Sequence, residues 1–247
     1  MDFKDPSNIL EFMQFQKRTY RKYYSYIKNL LTSNYKKAAI FVYWLNDYIS
    51  YLKEEASFNP SFNISYKRGQ IVFVNFGYRI GSELGGNHYA IVLDVKNARS
   101  SRTITVIPLK SKRETSSTYA NIYHVPLGTC VKDLLQNKAF EIKANNFSEM
   151  IKLVGVITGK ESIVNVDAET RKRIRLIKRN DRIATDVIEY TKKLTHESVA
   201  DAGQIVTISK QRINHPCKNT DVLTGIIVPD EYMKQIEERL KFLYFSN

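Results

Sequence analysis

Lys67-Arg68-Gly69-Gln70-Ile71-Val72-Phe73-Val74-Asn75-Phe76 and, shortly after, Gly81-Ser82-Glu83-Leu84-Gly85-Gly86-Asn87-His88-Tyr89-Ala90-Ile91-Val92-Leu93 decide the fold. The first run is β-branched and aromatic. The second, from Tyr89 to Val95, is near-continuously apolar, as a buried strand requires. Between them, residues 81–88 hold three glycines, a carboxylate and an imidazole. Binding and catalytic groups concentrate on loops held by a rigid pair of strands.

Outward from this pair, short strands are predicted at Gln70–Phe76, Tyr89–Val95, Thr103–Pro108, Ile122–His124, Glu141–Ile142, Met150–Thr158 and Gly203–Ile208. Helices flank them. Asp5-Pro6-Ser7-Asn8 is a start signal for a helix from Ser7 to about Ser33. Its stripe includes Ile9, Phe12, Met13, Phe15, Tyr20, Tyr23, Tyr24 and Ile27 at helical spacing. A second helix, from about Asn34 to Glu55, carries Phe41, Trp44, Leu45 and Tyr48. The short break between them predicts an antiparallel hairpin. Its stripe packs on itself and on the strands, or it docks a partner or a second copy. Asn59-Pro60-Ser61 marks a linker. Residues 1–65 are thus read as a helical hairpin with linker, and 66–247 as the strand-rich domain. A helical insertion interrupts that domain at about 160–198. Arg171, Arg175, Lys178, Arg179 and Arg182 form the basic face of the insertion. An amphipathic helix, Asp230–Phe245, closes the chain.

The chain has 247 residues and a formal net charge of +13. Its hydrophobic content of 43% is that of a folded protein with a proper core. The positive excess favours a polyanionic partner, nucleic acid foremost, over a merely solvated lysine-rich surface. Two cysteines, Cys130 and Cys217, make neither a metal-site spacing nor a disulfide framework, which fits a reducing cytoplasm. The N-terminus lacks an apolar signal core, and no run is long enough to span a membrane.

Three blocks, in this order, resemble the MazF/PemK toxins of bacterial toxin–antitoxin pairs. They are the Arg68-Gly69 strand with its Gly81-Ser82-Glu83-Leu84-Gly85-Gly86 loop, Arg102–Lys112, and Gly203–Ile213. The likeness covers Tyr66 to about Glu114 and Val199 to Ile213. It implies an α+β fold: a strongly bent, antiparallel, SH3-like β-barrel with added helices. It also implies a cytoplasmic, sequence-selective endoribonuclease that cuts single-stranded RNA without metal or other cofactor. The implied partners are an acidic antitoxin and a second copy of the chain. In relatives of the same fold, the CcdB type, a non-enzymatic toxin binds DNA gyrase. A chain that binds gyrase or RNA without cutting is therefore the alternative.

Metal-free RNA cleavage needs a base for the 2′-hydroxyl, an acid for the departing 5′-oxygen, and cations or donors for the phosphorane. The resemblance places His88 where the family has an arginine and Lys110 where it has a threonine. Both remain chemically competent. Histidine titrates near neutrality, lysine offers a compact cation, and Ser111 offers a hydroxyl donor. Glu83 matches an acidic position of the family. The catalytic candidates are His88, Lys110, Ser111 and Glu83. Those for RNA binding are Arg68, Tyr78, Arg79, Gly85, Gly86, Arg102, Lys112 and Gln204, since single-stranded RNA takes basic and aromatic contacts. The plainer readings are a structural or solvated His88, a solvated Lys110–Lys112 charge run, and turn or sheet-edge roles for Glu83 and Gln204. His124, His196 and His215 show no partner pattern or metal-ligand spacing and read as surface residues.

Overall fold

Strand formation follows the two deciding runs. β1 is Ile71–Asn75 and β2 is Asn87–Val92, antiparallel, with Ile71 opposite Ile91 and Asn75 opposite Asn87. In this computed structural model residues 2, 4–112, 120–158, 167–192 and 194–245 are described. The expected end of the first stretch of likeness, at about Glu114, and the expected start of the insertion, at about residue 160, lie outside them.

β3, Thr103–Ser111, is the longest strand and the hub of the sheet. Its residues 106–108 pair with β2, its residues 103–106 with β6 (Val206–Ser209), and its residues 109–111 with β5 (Ser198–Asp201). β4, His124–Gly128, adds to β5, and β7, Ile213–His215, adds to β1. The path β4-β5-β3-β2-β1-β7, with β6 beside β3, is antiparallel throughout and open. The α+β class expected from the resemblance is present. Among the described residues no pairing closes the sheet into the expected barrel.

Both faces of the sheet are buried, so β1 and β2 are apolar at successive positions rather than alternating. Ile71, Ile91, Ile107, Leu109, Val125 and Ala200 face one core, shared with Val131 and Leu135 of α4 (Cys130–Thr158), Val187 of α5 (Ala168–Lys192) and Ile236 of α6 (Asp230–Tyr244). Val72, Val74, Phe76, Ala90, Val92, Ile104, Val106 and Ile208 face a second, smaller core.

Two strand predictions fail in the same place. Glu141–Ile142 and Met150–Thr158 lie within α4, which packs along α5. The run Ile151-Lys152-Leu153-Val154 has the composition of a strand, but packing against α5 overrides a weak local preference. Cross-links between the two helices include Arg173 to Glu149 at 2.8 Å and the Asn146 amide donating to the Ile177 carbonyl at 3.1 Å. At Ile122–His124, a short helix α3, Ala120–Tyr123, leads into β4. Gly203 and Gln204 form a 3-10 turn rather than the start of a strand.

The chain divides into two units, Met1–Ser57 and Phe58–Asn247. In the first, α1 (Ile9–Ser33) and α2 (Tyr35–Glu54) meet through Tyr23 and Tyr26 on Phe41. The Asn34 side chain caps α2 by accepting the Lys37 N–H at 3.0 Å. Only Leu30 and Ala38 are buried in these helices, and Phe12, Phe15, Tyr24 and Tyr43 are exposed.

Candidate functional site

The register of the sheet assembles a row of ionisable side chains. Ala90 lies opposite Pro108, and the same register continued by two residues sets His88 opposite Lys110. Lys110 pairs with Val199 of β5. Asp201, two residues on, shares that face and lies opposite His124 of β4. His88, Lys110, Asp201 and His124 therefore stand side by side across β2, β3, β5 and β4. The residues alternating with them, Leu109, Ala200 and Val125, are buried in the larger core. The row lies on the face of the smaller one.

Asp201 is the centre of the row. Its side chain is only 4% exposed, and its Oδ2 forms an ion pair with the Lys110 ammonium, which is 33% exposed. The His124 Nε2 lies 3.9 Å from the same oxygen. Oδ1 accepts the Gly203 N–H at 3.2 Å. A buried carboxylate is stable only when paired in this way. Burial holds the His124 pKa below the usual histidine value. Asp201 opposes that shift, and Lys110 adds to it. Burial also lowers His88, whose ring is within hydrogen-bonding reach of the Leu109 and Gly85 carbonyls, and Lys110 again adds to the lowering.

Beside the row lies a cavity of about 440 Å³, lined among others by Arg79, Glu83, Leu84, Pro108 and Gln204. Pro108 is two residues from Lys110 on the same face. The loop from Phe76 to Asn87 walls the cavity through backbone bonds: Phe76 N–H to the Gly86 carbonyl at 2.8 Å and Gly86 N–H to the Gly77 carbonyl at 2.7 Å. Gly86 has φ +84, a conformation that suits glycine. At Gly85 the need is space, since a Cβ would stand 2.7 Å from the Gly77 carbonyl oxygen. Gln204 ties this loop down: its side-chain oxygen accepts the Leu84 N–H at 2.6 Å and its amide donates to the Ser82 carbonyl at 2.9 Å. Arg79 and Glu83 pair at 3.7 Å.

Of the residues predicted from sequence, the fold thus gathers His88 and Lys110 in the row, and Glu83, Arg79, Gly85, Gly86 and Gln204 around the adjoining loop and cavity. Tyr78 is half-buried in that loop. Ser111 follows Lys110 but alternates to the opposite face, opposite Ser198. Lys112 pairs with Glu197 at 2.7 Å. Arg68 and Arg102 lie at the other end of the strands. The Arg68 guanidinium donates to the Leu93 carbonyl at 2.7 Å and pairs with Glu237 of α6. Arg102 donates to the Phe58 carbonyl at 3.2 Å and stacks over the Phe58 ring.

Sequence reasoning missed His124 and Asp201. His124 is no isolated surface residue: it sits a quarter exposed beside a buried carboxylate. The available signal was Asp201 itself, a lone charge in the small, apolar run Val199-Ala200-Asp201-Ala202-Gly203. Among the described residues no group of three His, Cys, Asp or Glu side chains is arranged to hold a metal ion, and no helix is long and apolar enough to cross a membrane.

Residues 67–148 match the family model of the PemK-like, MazF-like toxins of type II toxin-antitoxin systems. No curated protein matches the chain.

Proposed function

We propose that this chain, whose residues 67–148 are a PemK-like, MazF-like toxin domain, is a metal-independent endoribonuclease toxin. It cleaves single-stranded RNA by attack of a 2′-hydroxyl on the adjacent phosphodiester, leaving a 2′,3′-cyclic phosphate and a 5′-hydroxyl. The observation that carries this reading is the row on one sheet face: a part-exposed ammonium, Lys110, between the His88 imidazole and the buried Asp201 carboxylate that His124 also approaches, with a cavity lined by Arg79, Pro108 and Gln204 nearby. Lys110 supplies positive charge to the phosphorane, where a fixed cation is worth most. Arg79, Gln204 and the Gly85-Gly86 backbone guide the strand, and Lys112, two residues beyond Lys110, extends the contact past the end of β3, whereas Ser111 faces the other side of the sheet.

The sheet domain from about residue 66 carries the activity, and the basic surface recruits an acidic antitoxin segment. The toxin acts in the cytoplasm and pairs with a second copy. The hairpin of residues 1–65 serves antitoxin docking or restraint. One observation favours the second reading, a toxin that binds gyrase or RNA without cutting: Asp201 already neutralises Lys110.

The two readings separate on incubating the purified protein with a long phage genomic RNA in EDTA. The nuclease cuts, and Lys110→Ala removes the cutting. Intact RNA, with growth still arrested on expression, selects the binder.

A further inference from the structure

We propose that His124 is the general base of this site, that Asp201 orients it, and that His88 is a positioning residue at the β2–β3 junction. The assignment rests on the nuclease reading above.

The two imidazoles differ in what their ring nitrogens face. A neutral imidazole has one N–H donor and one lone pair. The His88 ring is within hydrogen-bonding reach of two backbone carbonyls, those of Leu109 and Gly85. Those contacts turn the ring toward the strand next to it and the glycine loop. They suit a side chain that fixes the loop against β3, not one that exchanges protons with a substrate. No backbone carbonyl acts in the same way on the His124 ring, whose shift comes from burial, Asp201 and Lys110. Its Nε2 approaches the Asp201 oxygen that also holds the Lys110 ammonium. Imidazole and ammonium thus converge on one carboxylate oxygen, and a phosphodiester seated against Lys110 lies within reach of His124.

The electrostatics suit a base at neutral pH. Burial favours the neutral imidazole, and the Asp201 carboxylate stabilises the imidazolium formed when it takes a proton. The step balances. His124 takes the proton of the 2′-hydroxyl, the O2′–P bond forms and the P–O5′ bond breaks. The 5′-oxygen takes a proton from the Lys110 ammonium. His124 then releases its proton to water, and the Lys110 amine takes one back. The charged groups acting on His124 are Lys110 of β3 and Asp201 of β5. On α6, which also packs against β4, the Tyr244 hydroxyl donates to the Ala202 carbonyl at 3.0 Å and Arg239 donates to the Ile122 carbonyl at 2.8 Å.

The test is single-turnover cleavage of a long phage genomic RNA in EDTA across a pH series. The wild type is compared with His124→Ala, His124→Gln, Asp201→Asn and His88→Gln. The fold of each variant is checked by its affinity for an uncleavable oligodeoxynucleotide. The proposal expects both His124 variants to bind but to lose at least about 100-fold in rate, as removal of a general base does. Added imidazole restores part of the rate of His124→Ala. Asp201→Asn shifts the acid limb of the wild-type pH profile. His88→Gln keeps that acid limb, whatever its rate. The proposal is overturned, with the nuclease reading intact, if His124→Gln cuts within a few-fold of wild type. It is equally overturned if the acid limb vanishes in His88→Gln and persists in Asp201→Asn. A wild-type protein that binds but cuts no RNA rejects the nuclease reading and the assignment together.

Discussion

The two ends of the sheet carry similar residues and use them differently. At one end Arg68 is tied to a backbone carbonyl and to Glu237, a carboxylate about half exposed. At the other, Lys110 is tied to Asp201, a carboxylate almost wholly buried and shared with an imidazole. Along β2 the two ends are roughly 17 Å apart, from five residues at about 3.4 Å each. A cation paired on the surface is screened and worth little. One paired through a buried carboxylate is fixed in place, at the cost of desolvating its partner. Basic residues therefore do not mark the site here. The burial of the carboxylate beside them does.

The largest effect that would sharpen this contrast is at Lys110. Lys110→Ala should lower single-turnover RNA cleavage by about 100- to 1,000-fold, the scale for loss of one preorganised charge at a phosphorane. It also strands the Asp201 carboxylate, so the urea midpoint should fall by the equivalent of about 2 kcal/mol, less than for a fully buried pair because Lys110 is part-exposed. A full rate with a lowered midpoint would make this end structural too and erase the distinction.

Next comes the loop that walls the site. Gly85→Ala puts a Cβ against the Gly77 carbonyl oxygen. Backbone must shift, at about 1–3 kcal/mol by the usual cost of overpacking. Thermal unfolding measures the loss, and RNA affinity should fall with it as Arg79 and Glu83 are displaced. A Gly81→Ala comparison sharpens the reading, since that glycine meets nothing within 4 Å and its cost is only the strain of φ +61.

A smaller effect is in pH. Burial holds His88 and His124 below the ordinary 6.5. As pH falls through about 6.5 the unfolded chain takes up protons first, so the contribution to stability is intact above that value and declines below it, levelling under the folded values. The drop in urea midpoint between about pH 7.5 and about pH 5.5 should be smaller in His88→Gln and in His124→Gln than in wild type. An unchanged drop in either variant would place that imidazole in water.

The same contrast explains what the sequence could tell. β1, β2 and β3 were legible because long β-branched runs have few other uses, and the Gly81–Gly86 loop because its glycines meet real steric needs. The helical state of Ile151–Val154 was not, since only α5 beside it decides the matter. β5 and β7, at four and three residues, are too short to stand out. Half of the polar row was within reach of the resemblance, at His88 and Lys110. The other half arises from β4 and β5, brought beside β3 by two long helices, so the pairing of His124 with Asp201 exists only in the fold. Arg68 and Arg102 illustrate the converse: both read as RNA contacts by type, and both are already engaged at the far end.

The smallest expected effect is the control for that far end. Glu237→Ala removes the partner of Arg68 but leaves its bond to the Leu93 carbonyl. An ion pair this exposed contributes about 0.2–1 kcal/mol, so the melting temperature should move by only a few degrees. The freed guanidinium also adds one net positive charge, which by itself strengthens nonspecific attraction to a polyanion at low salt. Cleavage of RNA at physiological salt should nevertheless be unchanged, because the charge lies roughly 17 Å along β2 from Lys110, beyond a Debye length of about 8 Å. A gain in affinity that persists at high salt would mean that RNA runs the full length of the sheet. The two ends would then be parts of one groove rather than a scaffold and a site.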